Sequence, residues 1–590
     1  SPKLMNCHAV GNTGGDGIVL GDGGSAENCT SRGNSGNGIM CPYVASWNGA
    51  IAEGNTLDGF VVGIGSTLTD CQALNNGGNG LRVVDNNSPP RTSTTLLRGC
   101  VARGNSNMGF KLNLALVAPP SAGAIDGPAS APAARQSVAQ GNGSDGFSVG
   151  SGSALEGRMA GNNRGNGTAI AIPFDWGLSL FCIAEGNGSD GFSMGAGSVM
   201  EGCIARNNGG NGVTANNMIH CRQIHSEGNT GDGIVVAPGS TLTDCQALNN
   251  GGNGIHVTDN NVPAKTATTL LRGCVARSNS NMGFKIVIPP GAVQVATRDQ
   301  GIATAAAPVA PTPLDVEKAT TGAAGRPARG ASLAIPLPAV RYAGTGFGCV
   351  AEDNLGDGFY LDGEWSLSQC VSRNNGGVGI NSWSFGEAQT SSAEGNASDG
   401  FALRGGSRLT ECTSRGNGGI GVNGEMTGSG WMHWYSVISE GNGLDGFLVG
   451  RGGTLTDCQA RNNGGVGIMR TAGGDALEYL RCISDGNALD GIVVGSGSVL
   501  RNCTVRGNGT TGVGSGIRVT GAGNRLEGNH LLSNVDWGLS LFGGGNLVIG
   551  NSASGNTGGN YNIPSGNAAG PIVTATDMAT NTSPNVNYDY

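Results

Sequence analysis

Carboxylates that return at one point of a repeated motif are the first residues here whose type and spacing suit chemistry. Asp58, Asp190, Asp232, Asp399 and Asp445 each stand directly before a Gly, and Asp145, Asp357 and Asp490 share the position. Loop carboxylate and amide oxygens suit a hard cation, so the first five are the candidate calcium ligands, calcium being the one cofactor the sequence raises. The competing reading is turn chemistry, Asp before Gly. Copies in between carry Asn37, Asn79, Asn211 and Asn253, or Val378, Ile420 and Val466, so a second carboxylate would have to come from elsewhere. The spacing also departs from the calcium-binding nonapeptide.

Sugar chemistry needs paired acids, or an acid and a base, on one side of adjacent copies. The outward position of the first strand of each copy instead carries Val61, Arg82, Lys111, His256, Lys285 and Tyr360 in different copies, with no acid. The His residues form no cluster beyond His220 and His225. No catalytic residue is assigned on this evidence. Trp365, Trp383 and Trp431 are candidate glycan contacts, because an aromatic face is a large apolar platform. Trp47, Trp434 and Tyr479 fall where other copies have Leu68 or Leu242, a position that faces inward. The Gly-rich turns lack the Gly-Lys-Ser/Thr of a phosphate loop.

The frame for these residues is the repeat. An Asn returns at one point of each copy, from Asn12 and Asn34 through to Asn508, Asn529 and Asn551, most often at an interval of 21. Asn55, Asn76, Asn208, Asn229, Asn375, Asn396, Asn442 and Asn463 represent the series. Self-similarity at such a period marks a stacked repeat. Within a copy apolar residues alternate, as in Phe60 and Val62, then Leu68, Cys71 and Ala73. Short alternating runs broken by Gly and Asn predict strands, and Gly at this density is costly in helices. Three strands and three turns in about 21 residues make one coil, and about 22 coils at roughly 4.8 Å each give a rod on the order of 100 Å long.

With its recurring G-N-x-x-D-G-[FI]-x-V and L-x-x-C-x-A-x-x-N units, the sequence resembles the right-handed parallel β-helix repeat proteins, the superfamily that includes pectate-lyase-like enzymes. The resemblance spans about residues 6–556 and implies an all-β, single-stranded right-handed parallel β-helix. Fold alone does not assign a task. In such a coil the Asn is expected to bond its counterparts level by level and to tolerate the left-handed region at a tight turn. The Gly that follows, as Gly17, Gly38, Gly59 and Gly80, is expected to supply a positive φ.

Two further columns follow from the period. Most of the 16 Cys stand five residues before the Asn, where Ala50, Ser137, Ile224, Ser391 and Val437 substitute, which marks a small core filler held as a free thiol. The residue two before the Asn alternates in sign, its longest run being Glu352, Arg373, Glu394, Arg415, Glu440, Arg461, Asp485, Arg506 and Glu527. Opposite charges on neighbouring coils fix register, because a slip of one coil places like charges together.

Composition narrows the rest. Net charge is −9 with 33 Lys and Arg together, only five of them Lys, which argues against a nucleic-acid partner. No run of about 18 apolar residues is present, so no transmembrane helix is expected. Residues 53–110 return as 227–284, including Asp85-Asn86-Asn87 as Asp259-Asn260-Asn261, so a block of coils was duplicated. Ala/Pro-rich insertions fall at about 112–136 and 286–345 within a solenoid of residues 1–556, and residues 557–590 form a C-terminal cap or tail. An exposed strand edge calls for such a cap or for a partner.

The expected role is a non-enzymatic structural or adhesive rod, exported in bacterial fashion to an extracellular or cell-surface location, as a single rod or as the subunit of a self-assembling filament. A second copy, stacked end to end or laterally, and a polysaccharide are its candidate partners. The rival expectation is a carbohydrate-active enzyme, a lyase or hydrolase, or a passive glycan-binding rod.

Overall fold

Within one copy the alternating residues form three short strands, Phe60–Gly63, Thr67–Thr69 and Gln72–Leu74. Each pairs in parallel with its counterpart one copy further on: Phe60 with Leu81, Leu68 with Leu97, Ala73 with Ala102. Repetition builds three long parallel sheets along one axis. Sheet I contains Thr67–Thr69 and has 23 strands; sheet II contains Gln72–Leu74 and sheet III contains Phe60–Gly63. No α-helix occurs among the described residues. The computed structural model describes residues 2–84, 94–112, 133–150, 153–170, 177–215, 218–258, 269–287, 344–383, 386–404, 406–426, 432–471, 476–577 and 580–590. Most of both Ala/Pro-rich insertions, Asp85-Asn86-Asn87 with its second copy, and Trp431 lie outside the described residues. The coils on either side of 288–343 nevertheless pair directly, Phe284 with Phe359, their rings stacked 4.7 Å apart.

Three inward faces meet in a lumen filled by columns of like residues. Phe60, Val62, Leu68, Cys71 and Ala73 are all buried, as are Trp47, Trp434 and Tyr479. All 16 cysteines are free thiols, and all but Cys7 are buried. At the corner before the Asn, each buried Cys places Sγ near the carbonyl two residues back, as Cys100 does at 3.5 Å from Arg98 O.

The Asn column is continuous from Asn12 to Asn508. Asn187 donates through both its backbone N–H and its Nδ2 to Asn208 Oδ1, at 3.1 and 2.9 Å. Asn208 Nδ2 donates in turn to Asn229 Oδ1 at 2.8 Å and to Ala184 O at 3.1 Å. The amide is therefore saturated although it is shut off from water, which is the condition for burying it without penalty.

Two of the expected turn roles are reassigned by the backbone. Left-handed residues recur just before the ladder Asn, as Gly54 (φ 61°) and Asn75 (φ 54°), just before the Cys position, as Asp70 (φ 52°), and at the third corner, as Gly65 (φ 87°). The ladder Asn itself is not left-handed, and neither are Gly17, Gly38, Gly59 and Gly80. Those glycines are required by space. A Cβ on Gly59 would lie 2.6 Å from Gly80 O, 2.8 Å from Asn76 Nδ2 and 3.0 Å from Ala73 Cβ.

The last coils correct the register of the series. Asn508 bonds Asn534, 26 residues on, and Asn534 bonds Asn556. The turn at Gly509–Ser515 carries the extra residues. Asn529 and Asn551 belong to a different corner, the one held by Cys in earlier coils: Cys503 N–H donates to Asn529 Oδ1 at 3.0 Å, and the column runs on through Asn551 to Asn587. A third column, Asn524–Asn546–Asn567, fills the remaining corner. For the same reason Glu527 leaves the alternating column and pairs with Arg501 and Arg525 in sheet I. Coiling continues past residue 556, and strand Asn587–Asp589 inserts in parallel between Ser552–Ser554 and Ile572–Thr574 of sheet II.

Replacing Asn208 by Ala removes the acceptor of the Asn187 backbone N–H and one of the two acceptors of its Nδ2 in the interior, so we expect a loss of about 2–4 kcal/mol. Urea unfolding of the variant measures it, and a loss within error of zero would show that the ladder is not a stabilising element. Deleting residues 580–590 removes the inserted strand. The expected readout is faster amide exchange at Ser552–Ser554, with coils near Asn208 unchanged.

Candidate functional site

The turn carboxylates act between coils. Oδ1 of each accepts the backbone N–H 21 residues on in most coils: Asn79 for Asp58, Asn211 for Asp190, Asn253 for Asp232, Ile420 for Asp399 and Val466 for Asp445, all within 2.7 Å. The second oxygen reaches the outward residue of the next strand in sheet III, 24 residues on. There it meets Arg82 Nε (2.6 Å) from Asp58, His256 Nδ1 (2.8 Å) from Asp232, Asn381 Nδ2 (2.9 Å) from Asp357 and Asn423 Nδ2 (2.8 Å) from Asp399. The intervening Asn completes the column by accepting a backbone N–H from the following coil, as Asn211 Oδ1 does from Asp232. This is a clamp that ties one coil to the next, where the sequence suggested only turn chemistry or a cation site.

Charge follows from that clamp. Where residue 24 onward is apolar, Ala169 or Met469, burial raises the carboxyls of Asp145 and Asp445, opposed only by one backbone N–H. Burial would also raise Asp232, but hydrogen bonds from His256 and Asn253 outweigh it and hold the carboxyl below its usual range. Among the described residues no three His, Cys, Asp or Glu side chains gather at one point. The calcium candidates are instead spaced along the rod, each engaged by the coil that follows it.

One part of sheet III concentrates the remaining chemistry. Its outward column reads His256, Lys285, Tyr360, Asn381, Ala402 and Asn423 on consecutive coils. Beside that column Trp383 is exposed, its ring 4.2 Å from the Arg404 guanidinium and 6.4 Å from the Tyr360 ring. Cation and aromatic neighbours hold the indole in place. Burial, with Asp362 and Asp357 nearby, keeps the Tyr360 phenol above its ordinary value.

Trp365 does not join this platform. It is buried in the lumen against Gly344, where a Cβ would meet the indole at 2.2 Å. It stands two residues before Leu367 on one strand, so the two share a face, and period two alone carried that signal.

The family model described as a right handed beta helix region matches residues 348–557. The fold is a right-handed parallel β-helix. No curated protein matches the sequence. Solved structures similar to this β-helix include the mannuronan C-5 epimerase AlgE6 A-module of Azotobacter vinelandii, at 12% identity and a TM-score of 0.24, over 75% of this chain and 92% of that one. Others are a periplasmic alginate epimerase, AlgG (8% identity, TM-score 0.24, 78% of each chain), and the receptor binding domain of the Siphovirus 9NA tailspike (10%, 0.23, 81% and 73%). No helix among the described residues of the β-helix is long and apolar enough to cross a membrane.

Because Asp232 is held below its usual range, its clamp contributes stability above the ordinary carboxylate pKa of about 4, and that contribution disappears as pH falls through the depressed folded value. Wild type should therefore lose more stability than Asp232→Asn between about pH 6 and pH 3, by about 1 kcal/mol. Asp445, raised by burial, should behave oppositely, so that Asp445→Asn is neutral or stabilising at pH 7. Denaturant titrations at both pH values check the pair, and equal acid dependence in all three proteins would refute the clamp.

Proposed function

We propose that this β-helix is an exported, non-catalytic rod that holds an extended polysaccharide along the outward face of sheet III. The observation that carries the reading is the Trp383 platform, flanked by Arg404 and Tyr360. Along the same face stand amides at Asn381 and Asn423, two coils apart and so about 10 Å at a strand repeat of about 4.8 Å. A flat, regularly spaced face suits a linear polymer, and an exposed ring suits the apolar face of a sugar. Two turn acids on this face support a binding role over a catalytic one, since Asp357 and Asp399 are each engaged at Oδ1 by a backbone N–H and at Oδ2 by Asn.

A second reading, an enzyme acting on the same polymer, has one observation in its favour. Asp232 engages His256 at Nδ1, leaving Nε2 as the nitrogen to exchange a proton, with Lys285 and Tyr360 next along the column. Such a pairing is how a His base is oriented.

Binding of the full chain to uronic-acid and neutral polysaccharides, followed by calorimetry, tests the first reading. Trp383→Ala should weaken binding at least tenfold at unchanged thermal stability, whereas His256→Gln should leave it within about twofold. Turnover of any of these polymers that His256→Gln abolishes would replace the binding role with the enzymatic one.

A further inference from the structure

The charge column on the outward face of sheet II loses one rung. Over successive coils it reads Arg103, Gln140, Gly161, Glu185 and Arg206, each directly opposite the next in the parallel ladder. Counting back from Arg206 and Glu185, the alternation of sign calls for a cation at position 161, where the chain has no side chain at all. On one side of the gap Glu185 meets Arg206 at 3.0 Å. On the other, Gln140 Oε1 accepts from Arg103 Nη2 at 2.6 Å. Each neighbour is thus engaged from the side away from Gly161.

Elsewhere the same column shows what a filled rung does. Glu352 lies between Arg277 and Arg373, and both guanidinium groups reach its carboxylate, Arg373 Nε at 2.6 Å. The Glu352 side chain is consequently only 12% exposed. Glu185, met among the described residues by Arg206 alone, is 41% exposed. Where Leu248 takes the place of a cation, Glu227 is engaged instead by His225 at 3.1 Å and by Asn249 Nδ2 at 3.4 Å. The room left by Gly161 is a cavity of about 400 Å³, with Gln140, Met159 and Glu185 in its walls. Met159 is exposed, so the cavity is open to solvent beside it.

We propose that this recess binds an alkylguanidinium group, which takes the place of the missing rung and grips Glu185 from the Gly161 side. Every cation in the column, from Arg32 and Arg103 to Arg461 and Arg506, is an Arg and none is a Lys. The planar fork of a guanidinium matches a carboxylate edge, whereas an ammonium is a compact and strongly hydrated charge. Met159 offers an apolar wall for the methylene stem. Gln140 is neutral, so it sets no like charge against the ligand. A single ion pair in a recess open to water is weak, and the free group therefore binds with a Kd on the order of 1–10 mM. This site lies on sheet II and is independent of the face of sheet III.

The test is a titration of the full chain, labelled at its methionine methyl groups, followed by nuclear magnetic resonance. The Met159 methyl is the reporter, identified by its absence in Met159→Leu. Butylguanidine should shift that resonance, and butylamine, with the same stem, should bind at least about fivefold more weakly. Gly161→Arg fills the rung from the chain itself and should abolish the response, as should Glu185→Gln. The backbone at Gly161 is not left-handed, and a Cβ there meets nothing closer than Glu185 O at 3.7 Å, so the variant has room to fold. Should it fail to fold, Glu185→Gln decides alone. A capped tripeptide with a central arginine separates the two sources of the group. Binding about tenfold tighter than butylguanidine assigns the site to an arginine side chain of a polypeptide, and equal or weaker binding to a free guanidine. No shift below about 100 mM butylguanidine, an equal response to butylamine, or a response that survives in either variant overturns the site.

Discussion

The hydrogen bond from one ladder amide to the next is the constraint on which the rest of this molecule depends. A parallel coil must turn three times in about 21 residues, and each turn buries backbone and side-chain polar groups away from water. The Asn column resolves this at one corner by letting every amide accept from the coil below and donate to the coil above. Once that is fixed, so is the rise between coils, and the other columns inherit their register from it. The glycines beside the amides are a direct consequence. Gly59 and its equivalents sit between an Asn, a carbonyl and a small residue such as Ala73, where no Cβ fits.

The outward columns solve the same problem with different chemistry. Alternating charge links coils in sheet II, as Glu352 does between Arg277 and Arg373, and Asp485 with Arg506. Solvent screens such pairs, and each contributes little alone. The turn carboxylates do more, because one oxygen closes the next turn while the other grips an outward side chain. Where that side chain is apolar the carboxyl is left short of partners, and its proton affinity rises. Position along the rod thus sets the proton affinity of residues that share one point of the motif.

The candidate binding face shows how function is grafted onto a uniform scaffold. Most of sheet III presents small or aliphatic residues outward. Only over a few coils do His256, Lys285, Tyr360, Trp383 and Arg404 stand together, and they come from sequence positions on both sides of the long Ala/Pro-rich segment. Direct pairing of Phe284 with Phe359 across that segment is what makes them neighbours.

The sequence by itself determined the strands, their parallel stacking, the Asn ladder and the inward place of Cys, Trp47, Trp434 and Tyr479. Each follows from a period of two within a strand and of about 21 between coils, which are local properties of the chain. Tertiary structure alone decided the contacts whose sequence separation is not constant. A turn lengthened at Gly509–Ser515 moved the ladder from Asn529 to Asn534, and no fixed interval could report it. The second grip of Asp58, Asp232, Asp357 and Asp399 lies 24 residues away, one coil plus three positions, so it becomes visible only when adjacent coils are superposed. Trp365 was in principle readable from its spacing to Leu367, and what spacing could not supply is the room that Gly344 leaves for its indole.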